Sequence, residues 1–272
     1  MQLHPLNHGF VWTRASARPR RITTAQAGDW DERGFFLLED AFDRDTVREV
    51  IAEIDPLEAQ TEAYLRSRDD AKQFIARAGA LTFSVHLVKR SQRLREFCAG
   101  PVFRDLVYDL IGPDARLYWD QAVYKKPANP DEFPWHQDNA YTYIEPQQYL
   151  TCWVALTATD EENGCPWVVP GLHLRGTLAH ELTPLGWRCP VPLQKAVPVP
   201  ARAGSIVVFS SLTPHRTGPH TADGVRKAYI VQFAPEGARV LRGDPANPTV
   251  ETCDAPDRQF PVLEAGRAPR IA

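Results

Sequence analysis

The 272-residue sequence has no long apolar run and no block of charge of one sign. A membrane-spanning helix requires roughly 20 consecutive apolar residues, and no segment approaches that length. The N-terminal segment lacks the apolar core of a secretory signal peptide. Lysine and arginine total 31 against 34 aspartate and glutamate, for a formal charge of -3, and no basic cluster marks a nucleic-acid surface. These absences predict a cytoplasmic protein that binds neither membranes nor nucleic acid.

Cysteine is scarce, and its five positions are scattered: Cys98, Cys152, Cys165, Cys189 and Cys253. Because no CxxC pair is present, the sequence shows no zinc or thiol-redox motif of that type. We therefore expect reduced, structural thiols.

The first third of the chain carries the signals of helices. Residues 1–25 show no hydrophobic period, which predicts a loose N-terminal arm. A short strand-like run follows at 34–38. Asp43 then precedes apolar residues at helical spacing as a candidate N-cap, and Pro56 is expected to end that helix. A second helix is predicted to begin at Pro101.

After these helices the pattern changes to that of strands. Strand-like segments separated by turn residues lie at 117–124, 149–157, 205–210 and 225–233. Many short strands favour a β-sandwich or barrel. No internal repeat is visible and no new periodic core follows residue 235, so we predict one domain over 1–272 with an irregular tail at 236–272.

A candidate metal site is indicated by the segment Trp135-His136-Gln137-Asp138. Residues two apart on an extended segment leave the same face, so His136 and Asp138 can bind one ion. His215, after another predicted strand, would complete two histidines and one carboxylate around an ion with three open positions. Non-haem Fe(II) oxygenases use that ligand set. The HxD pair alone is weak, because such pairs commonly form a hydrogen bond that holds a loop.

Arg226 strengthens this interpretation. It lies eleven residues after His215 and shares a predicted strand face with Ala228 and Ile230. Since a buried unpaired charge is costly, an arginine on such a face is expected to meet an anion. Its planar fork suits a carboxylate. Without the rest of the pattern, a solvated or internally paired arginine would be the better interpretation.

The sequence resembles the phytanoyl-CoA dioxygenase family of Fe(II)- and 2-oxoglutarate-dependent oxygenases over about residues 30–235. The resemblance rests on ordered segments: Trp135-His136-Gln137-Asp138, Trp153-Val154-Ala155-Leu156, Glu162-Asn163-Gly164-Cys165, Val169-Pro170-Gly171-Leu172-His173, Ala203-Gly204-Ser205-Ile206-Val207-Val208-Phe209, Pro214-His215-Arg216-Thr217-Gly218-Pro219 and Arg226-Lys227-Ala228. Together these motifs are quite specific.

The resemblance implies a role for the matching residues. His136, Asp138 and His215 would bind Fe(II), and Arg226 would pair with the distal carboxylate of 2-oxoglutarate. Thr217 would add a hydroxyl group to that carboxylate. Because Asp138 keeps the carboxylate that halogenating relatives replace by a small residue, a halogenase is not expected.

Two further positions are implied less directly. Trp153 matches a position that lines the co-substrate, although a large aromatic residue there could equally be barrel core. Gln121, on the strand before the HxD segment, is a candidate polar contact for the keto-acid end. Leu172 and His220 depart from the family pattern, in which serine and asparagine are common, and these departures bear on the substrate.

The resemblance also implies the fold and the reaction. The fold would be mainly β with flanking α-helices, a double-stranded β-helix of the jelly-roll or cupin-like kind. With O2, oxidative decarboxylation of 2-oxoglutarate to succinate and CO2 would drive hydroxylation of a C–H bond in a small-molecule substrate. The protein contributes positioning and electrostatics.

Other functions remain open from the sequence. The same cofactors support desaturation, cyclisation or epimerisation, and a catalytically silent β-barrel binding module is a third hypothesis. A hydrolytic zinc site from His136, His173 and His180 is a rival assignment, but it would leave Asp138, His215 and Arg226 without roles. The oligomeric state is not indicated.

Candidate substrate contacts are aromatic and basic residues near these segments: Tyr141, Tyr143, Trp167, Trp187, His86, Lys125 and Lys126. Their chemistry is compatible with a lipid-like, terpenoid, alkaloid or amino-acid-derived ligand. Core packing or a surface location is the alternative for each.

Overall fold

The computed structural model describes residues 1–73, 75–127 and 132–269. Its α-helices in these ranges are α1 (Thr24–Arg33), α2 (Arg44–Arg66), α3 (Gln92–Cys98), α4 (Pro101–Leu110) and α5 (Asp138–Tyr141). Its strands are β1 (Phe35–Leu38), β2 (Lys72–Gln73), β3 (Ala76–Arg77), β4 (Leu81–Val85), β5 (Ala115–Lys125), β6 (Phe133–His136), β7 (Tyr143–Glu145), β8 (Leu150–Ala155), β9 (Pro166–Val168), β10 (Glu181–Thr183), β11 (Gly186–Arg188), β12 (Val197–Pro198), β13 (Ile206–Ser210), β14 (His215–Thr217), β15 (Arg226–Pro235), β16 (Arg239–Arg242), β17 (Thr249–Thr252) and β18 (Pro261–Leu263).

Two antiparallel sheets enclose the interior. The larger has the order β1-β13-β8-β15-β5-β4-β3-β2, with β18 paired to β5, and the smaller has the order β12-β9-β14-β6. An apolar cluster joins Trp153 and Ile230 of the larger sheet to Val168 of the smaller. This arrangement is the double-stranded β-helix that the sequence analysis predicts.

The helices of the first third pack on the outer face of the larger sheet. Ile54 of α2 and Phe103 of α4 belong to one buried cluster with Tyr124, Val154 and Val231 of the central strands. Alternate residues of β5, β8 and β15 therefore face either these helices or the barrel interior. Each buried large apolar side chain contributes roughly 1.5–3 kcal/mol to this packing.

The prediction that Pro56 ends the first long helix is wrong. Helix α2 continues from Arg44 to Arg66, with Pro56 inside it. Its buried face extends past the proline through Glu58 and Leu65, and Glu58 accepts a hydrogen bond of 2.8 Å from the Thr82 hydroxyl of β4. These tertiary contacts offset the cost of about 3 kcal/mol for an interior proline.

The N-terminal segment lies against the body of the protein, in contrast to the predicted loose arm. The carboxylate of Asp109 accepts hydrogen bonds of 2.7 to 3.1 Å from three consecutive backbone N–H groups, those of Arg20, Arg21 and Ile22. The buried Asn7 amide donates to the carbonyls of Arg175 and Thr177. Contacts between residues so far apart in sequence leave no periodic signal, and the lack of a hydrophobic period therefore predicts a loose arm where the structure has an attached one.

The prediction of an irregular C-terminal tail at 236–272 is also wrong in part. β16 pairs with β7 and β17, and β18 pairs with the beginning of β5. The tail thus adds two strands that form a three-stranded sheet with β7, and one strand of the larger sheet. Residues 270–272 lie outside the described part of the chain.

The five cysteines are free and buried, which agrees with the expectation of structural thiols. In the described ranges, no helix has the length and apolar character needed to cross a membrane.

Candidate metal and co-substrate site

The smaller sheet brings the three predicted metal ligands together. His136 ends β6 and lies directly opposite His215, the first residue of β14. Asp138 begins α5 just beyond β6. One carboxylate oxygen of Asp138, Oδ1, lies 3.7 Å from Nε2 of His136 and 3.6 Å from Nε2 of His215.

Hydrogen bonds to the backbone set the orientation of both imidazole rings. Nδ1 of His136 lies 2.8 Å from the carbonyl oxygen of Pro134, and Nδ1 of His215 lies 3.0 Å from that of Thr213. A carbonyl accepts only, so each Nδ1 carries a proton, which leaves Nε2 as the nitrogen available to a metal ion. Burial, together with the adjacent His215 ring, lowers the pKa of His136 well below its ordinary value, which favours the neutral imidazole.

These donors fit a divalent metal ion. Their candidate ligand atoms all lie within 4.8 Å of one another. Two atoms each roughly 2.1 Å from one ion are about 3 Å apart when they subtend a right angle. The distances of 3.7 and 3.6 Å from Oδ1 of Asp138 to the two Nε2 atoms are only slightly longer than this. Two imidazoles and one carboxylate match the facial set of non-haem iron sites.

The rival zinc triad is not assembled. In the part of the chain that the structure describes, His136, Asp138 and His215 form the one group of three candidate ligands. His173 is buried and packs edge-on against Trp12, with ring centroids 4.4 Å apart.

Gln137, which the sequence analysis gave no role, braces the ligand segment. It is fully buried, and its side-chain amide donates to the carbonyls of Gly176 and Leu212. The side-chain oxygen of Gln137 accepts from the backbone N–H of Leu178, and the backbone N–H of Gln137 donates to Nε2 of His180. His180 therefore supports the ligand loop through its ring nitrogen and is not a ligand.

Asp138 has a second set of contacts that the sequence did not indicate. Its other oxygen, Oδ2, accepts a hydrogen bond of 2.6 Å from the hydroxyl group of Thr151 on β8. The side-chain amide of Gln232 on β15 donates to the same hydroxyl oxygen at 3.2 Å. Thr151 and Gln232 are direct partners in the register of the two strands.

Arg226 is a buried cation whose guanidinium is largely unpaired. It is 1% exposed, and Nη1 makes a long contact of 3.5 Å with the carbonyl of Val123. Nε and Nη2 are buried with no hydrogen-bond partner among the described residues. Burial lowers its pKa to about 10, so it remains charged at neutral pH. An unpaired buried cation of this shape fits a carboxylate.

Trp153 lies beside this cation and belongs to the apolar interior. The guanidinium carbon of Arg226 lies 5.4 Å from the centre of its ring. Trp153 also belongs to the interior cluster with Val207 and Ile230. The residue is thus both part of the barrel core and a neighbour of the unpaired cation, so the two interpretations left open by the sequence do not exclude each other.

Gln121 and Thr217 lie on faces that lead to this interior. Gln121 is opposite Ile230 in the sheet, and its side-chain oxygen accepts a hydrogen bond of 3.1 Å from the indole of Trp119. Thr217 is two residues after His215 on β14, in regular register with β9, so the two side chains share a face.

Aromatic side chains cover one side of the histidine pair. Phe133 and Tyr141 lie 4.6 and 5.1 Å from the His136 ring, between centroids. The β10–β11 hairpin, which carries Trp187, packs closely on Tyr141. A Cβ atom placed at Gly186 would lie only 2.7 Å from the tyrosine hydroxyl oxygen.

The other candidate substrate contacts are engaged with protein groups. His86 packs against Trp119 with ring centroids 4.3 Å apart. The remaining pairs are Lys126 with Glu62, Tyr143 with the Leu6 carbonyl, Trp167 with Arg216, and Lys125 with the Gly218 carbonyl.

Comparison with known proteins identifies relatives of the whole barrel. A family model described as phytanoyl-CoA dioxygenase (PhyH) matches residues 30–228. Methylphosphonate hydroxylase of Gimesia maris is 25% identical over 216 residues, which cover 78% of this chain and 80% of that protein. Phytanoyl-CoA dioxygenase domain-containing protein 1 of Mus musculus is 26% identical over 292 residues, covering 89% and 98%.

A solved structure shares the fold. The epimerase SnoN in complex with Fe3+, alpha ketoglutarate and nogalamycin RO has a TM-score of 0.67 and 20% sequence identity. The match covers 88% of this chain and 97% of that one.

Proposed function

Because the chain belongs to the phytanoyl-CoA dioxygenase family, and is thereby an iron- and 2-oxoglutarate-dependent oxygenase, we propose that it hydroxylates a C–H bond of a small organic molecule. Succinate and CO2 would form from 2-oxoglutarate. Hydroxylation is favoured because a relative matching 78% of the chain is named a hydroxylase.

His136, Asp138 and His215 would hold Fe(II). Three protein ligands leave three positions of an octahedral ion open to the co-substrate and O2. Bound Fe(II) would supply the redox chemistry that couples O2 to decarboxylation of 2-oxoglutarate and oxidation of the substrate. The protein would present Nε2 of both imidazoles to the ion, because each Nδ1 lies within hydrogen-bond distance of a backbone carbonyl.

The observation that carries this proposal is the pair of unpartnered nitrogens of Arg226 inside the same barrel. They would bind the distal carboxylate of 2-oxoglutarate, with the Thr217 hydroxyl as an additional donor. Trp153 would provide an apolar wall beside the chain of the keto acid, and Gln121 would offer a polar group toward its other end. A protein without an anionic ligand here would leave a buried charge without compensation.

Residues around the histidine pair would restrict water. Phe133 and Tyr141 pack against the His136 ring, and the β10–β11 hairpin covers Tyr141. Exclusion of water protects reactive species from side reactions. We further propose a single domain, since the helices of the first third pack on the sheet whose other face lines the site.

Anaerobic titration tests the proposal. Fe(II) added to folded protein with 2-oxoglutarate should produce a weak visible charge-transfer band that neither component produces alone. Succinate should then form on admission of O2, and mass analysis of added candidate substrates should show a gain of one oxygen atom. A folded protein that gives no band would contradict the proposal, and a substrate that loses two hydrogens or inverts a centre would replace hydroxylation with desaturation, cyclisation or epimerisation.

A further inference from the structure

We infer that Thr151 and Gln232 are positioning residues that hold Asp138 in one orientation, so that a single carboxylate oxygen is presented to the metal. The inference rests on the proposed function, because it concerns how the Fe(II) ligand is held. It goes beyond that function by assigning roles to two residues outside the ligand set.

The contacts form a short, buried chain across two strands. Gln232 donates to Thr151 at 3.2 Å, and Thr151 donates to Oδ2 of Asp138 at 2.6 Å. Thr151 is 1% exposed and Gln232 is 7% exposed. Thr151 and Gln232 are direct partners on the neighbouring strands β8 and β15, so the register of the larger sheet fixes this series of hydrogen bonds.

The direction of the protons along this chain follows from the chemistry of the groups. An ionised carboxylate accepts only, and a hydroxyl group has a single proton to donate. Thr151 uses that proton for Asp138, so its oxygen must accept from the next group. The amide of Gln232 therefore faces Thr151 with its nitrogen, because its oxygen would compete for the same proton.

As a consequence, the two carboxylate oxygens of Asp138 have different roles. Oδ2 is engaged by Thr151, whereas Oδ1 lies 3.7 and 3.6 Å from the two histidine Nε2 atoms. A carboxylate held in this way binds a metal through one oxygen and takes one position. A carboxylate free to rotate can bind through both oxygens and take a second position that the co-substrate or O2 needs.

Metal affinity measured without turnover tests the inference. Mn(II) binding is followed by the electron paramagnetic resonance signal of the free ion, and Co(II) binding by its visible absorption, which reports ligand geometry. Thr151→Val should weaken Mn(II) binding about 10- to 100-fold, the usual effect of removing a partner of a metal ligand, and should change the Co(II) spectrum. Thr151→Ser, which keeps the hydroxyl group, should restore both.

A matched control lies on the other face of the same sheet. Thr82 is fully buried and donates to the carboxylate of Glu58 at 2.8 Å, much as Thr151 donates to Asp138. Thr82→Val should leave Mn(II) affinity and the Co(II) spectrum unchanged. Gln232→Leu should weaken Mn(II) binding by less than Thr151→Val, because it removes only the group that orients the hydroxyl.

The outcomes separate this inference from the proposed function. Tight Mn(II) binding by the wild-type protein with no change in Thr151→Val would overturn the inference and leave the proposed function standing. Equal weakening in Thr151→Val and Thr82→Val would also overturn it, since the effect would then belong to the fold. Folded wild-type protein that binds no divalent ion would overturn both.

Discussion

Arg226 and Lys227 are consecutive residues of β15, and they point to opposite faces of the larger sheet. The ammonium group of Lys227 faces α2 and contacts both carboxylate oxygens of Asp55, at 2.7 and 2.9 Å. Arg226 faces the barrel interior, where two of its three nitrogens have no partner among the described residues. On the helix side the protein neutralises its own cation, whereas on the interior side two guanidinium nitrogens stay without a described partner, where we propose that the 2-oxoglutarate carboxylate binds.

Two carboxylates differ in what lies beside Oδ1. Asp120 faces the helices, where its Oδ2 accepts from the Tyr229 hydroxyl and from the backbone N–H of Leu87, and its Oδ1 has no hydrogen-bond partner among the described residues. Asp138 receives one hydroxyl group at Oδ2, and its Oδ1 lies beside the Nε2 atoms of two histidines. Buried charge alone therefore does not distinguish structure from function in this barrel. The neighbouring candidate metal-binding side chains make the difference.

The largest effect is expected for Asp138→Ala. Loss of the carboxylate ligand should abolish 2-oxoglutarate-dependent succinate formation, while thermal unfolding shows a protein that remains folded. Asp55→Ala on the helix face should do the reverse, keeping turnover and losing roughly 0.5–1 kcal/mol of unfolding free energy, as expected of a half-exposed ion pair. Normal turnover by Asp138→Ala would remove this residue from the metal site.

The second effect concerns the two cations. Arg226→Met should raise the KM for 2-oxoglutarate about 100-fold, since charge-assisted hydrogen bonds worth about 3 kcal/mol would be lost. The unliganded protein should not be less stable, because an unpaired buried charge is replaced by an apolar chain. Lys227→Met should leave this KM unchanged. An unaltered KM in Arg226→Met would place the anchor for the carboxylate elsewhere.

The third effect is a pH dependence of the unfolding free energy that arises from Asp120 on the helix face. Burial raises the pKa of Asp120 to about 6, whereas the unfolded value is about 4. Between these values the folded state binds the extra proton, so this group's contribution to stability is lost as the pH rises through 6. Urea unfolding should therefore show that the unfolding free energy of wild type, relative to that of Asp120→Asn, is about 2 kcal/mol higher at pH 4.5 than at pH 7.5. A difference independent of pH would contradict the assignment.

The smallest effect is expected for Thr217→Val. Loss of one neutral hydrogen bond, worth about 1 kcal/mol, should raise the KM for 2-oxoglutarate roughly fivefold. Steady-state kinetics on Thr217→Val and Arg226→Met side by side would rank the two contacts. An effect of Thr217→Val as large as that of the arginine variant would show that the hydroxyl group, and not the cation, dominates binding.

The sequence predicts the parts of the site whose residue types carry the chemistry. His136, Asp138 and His215 have a spacing that limits what they can do, and Arg226 is conspicuous because a charge shares a face with apolar residues. The main strands were also predictable, because alternation along β5 and β15 reports burial directly.

Thr151, Gln137 and Gln232 could not be found in this way. Threonine and glutamine are common in strands and turns, and the contact between Thr151 and Gln232 exists only through the register of β8 and β15. The helix end expected at Pro56 is wrong for a related reason, since the contacts that keep α2 helical beyond Pro56 come from a distant strand. The start of α1, in contrast, has a local signal, because Thr23 and Gln26 form a capping box there.

The Asp109 contacts bear on the order in which this molecule is assembled. Residues 20–22 leave the ribosome well before the carboxylate that binds them, and Asn7 must wait for partners about 170 positions later. Closing so long a loop carries an entropic penalty that is recovered only when the far contacts exist. During synthesis, Asn7 and residues 20–22 are therefore made well before the groups that hold them in place.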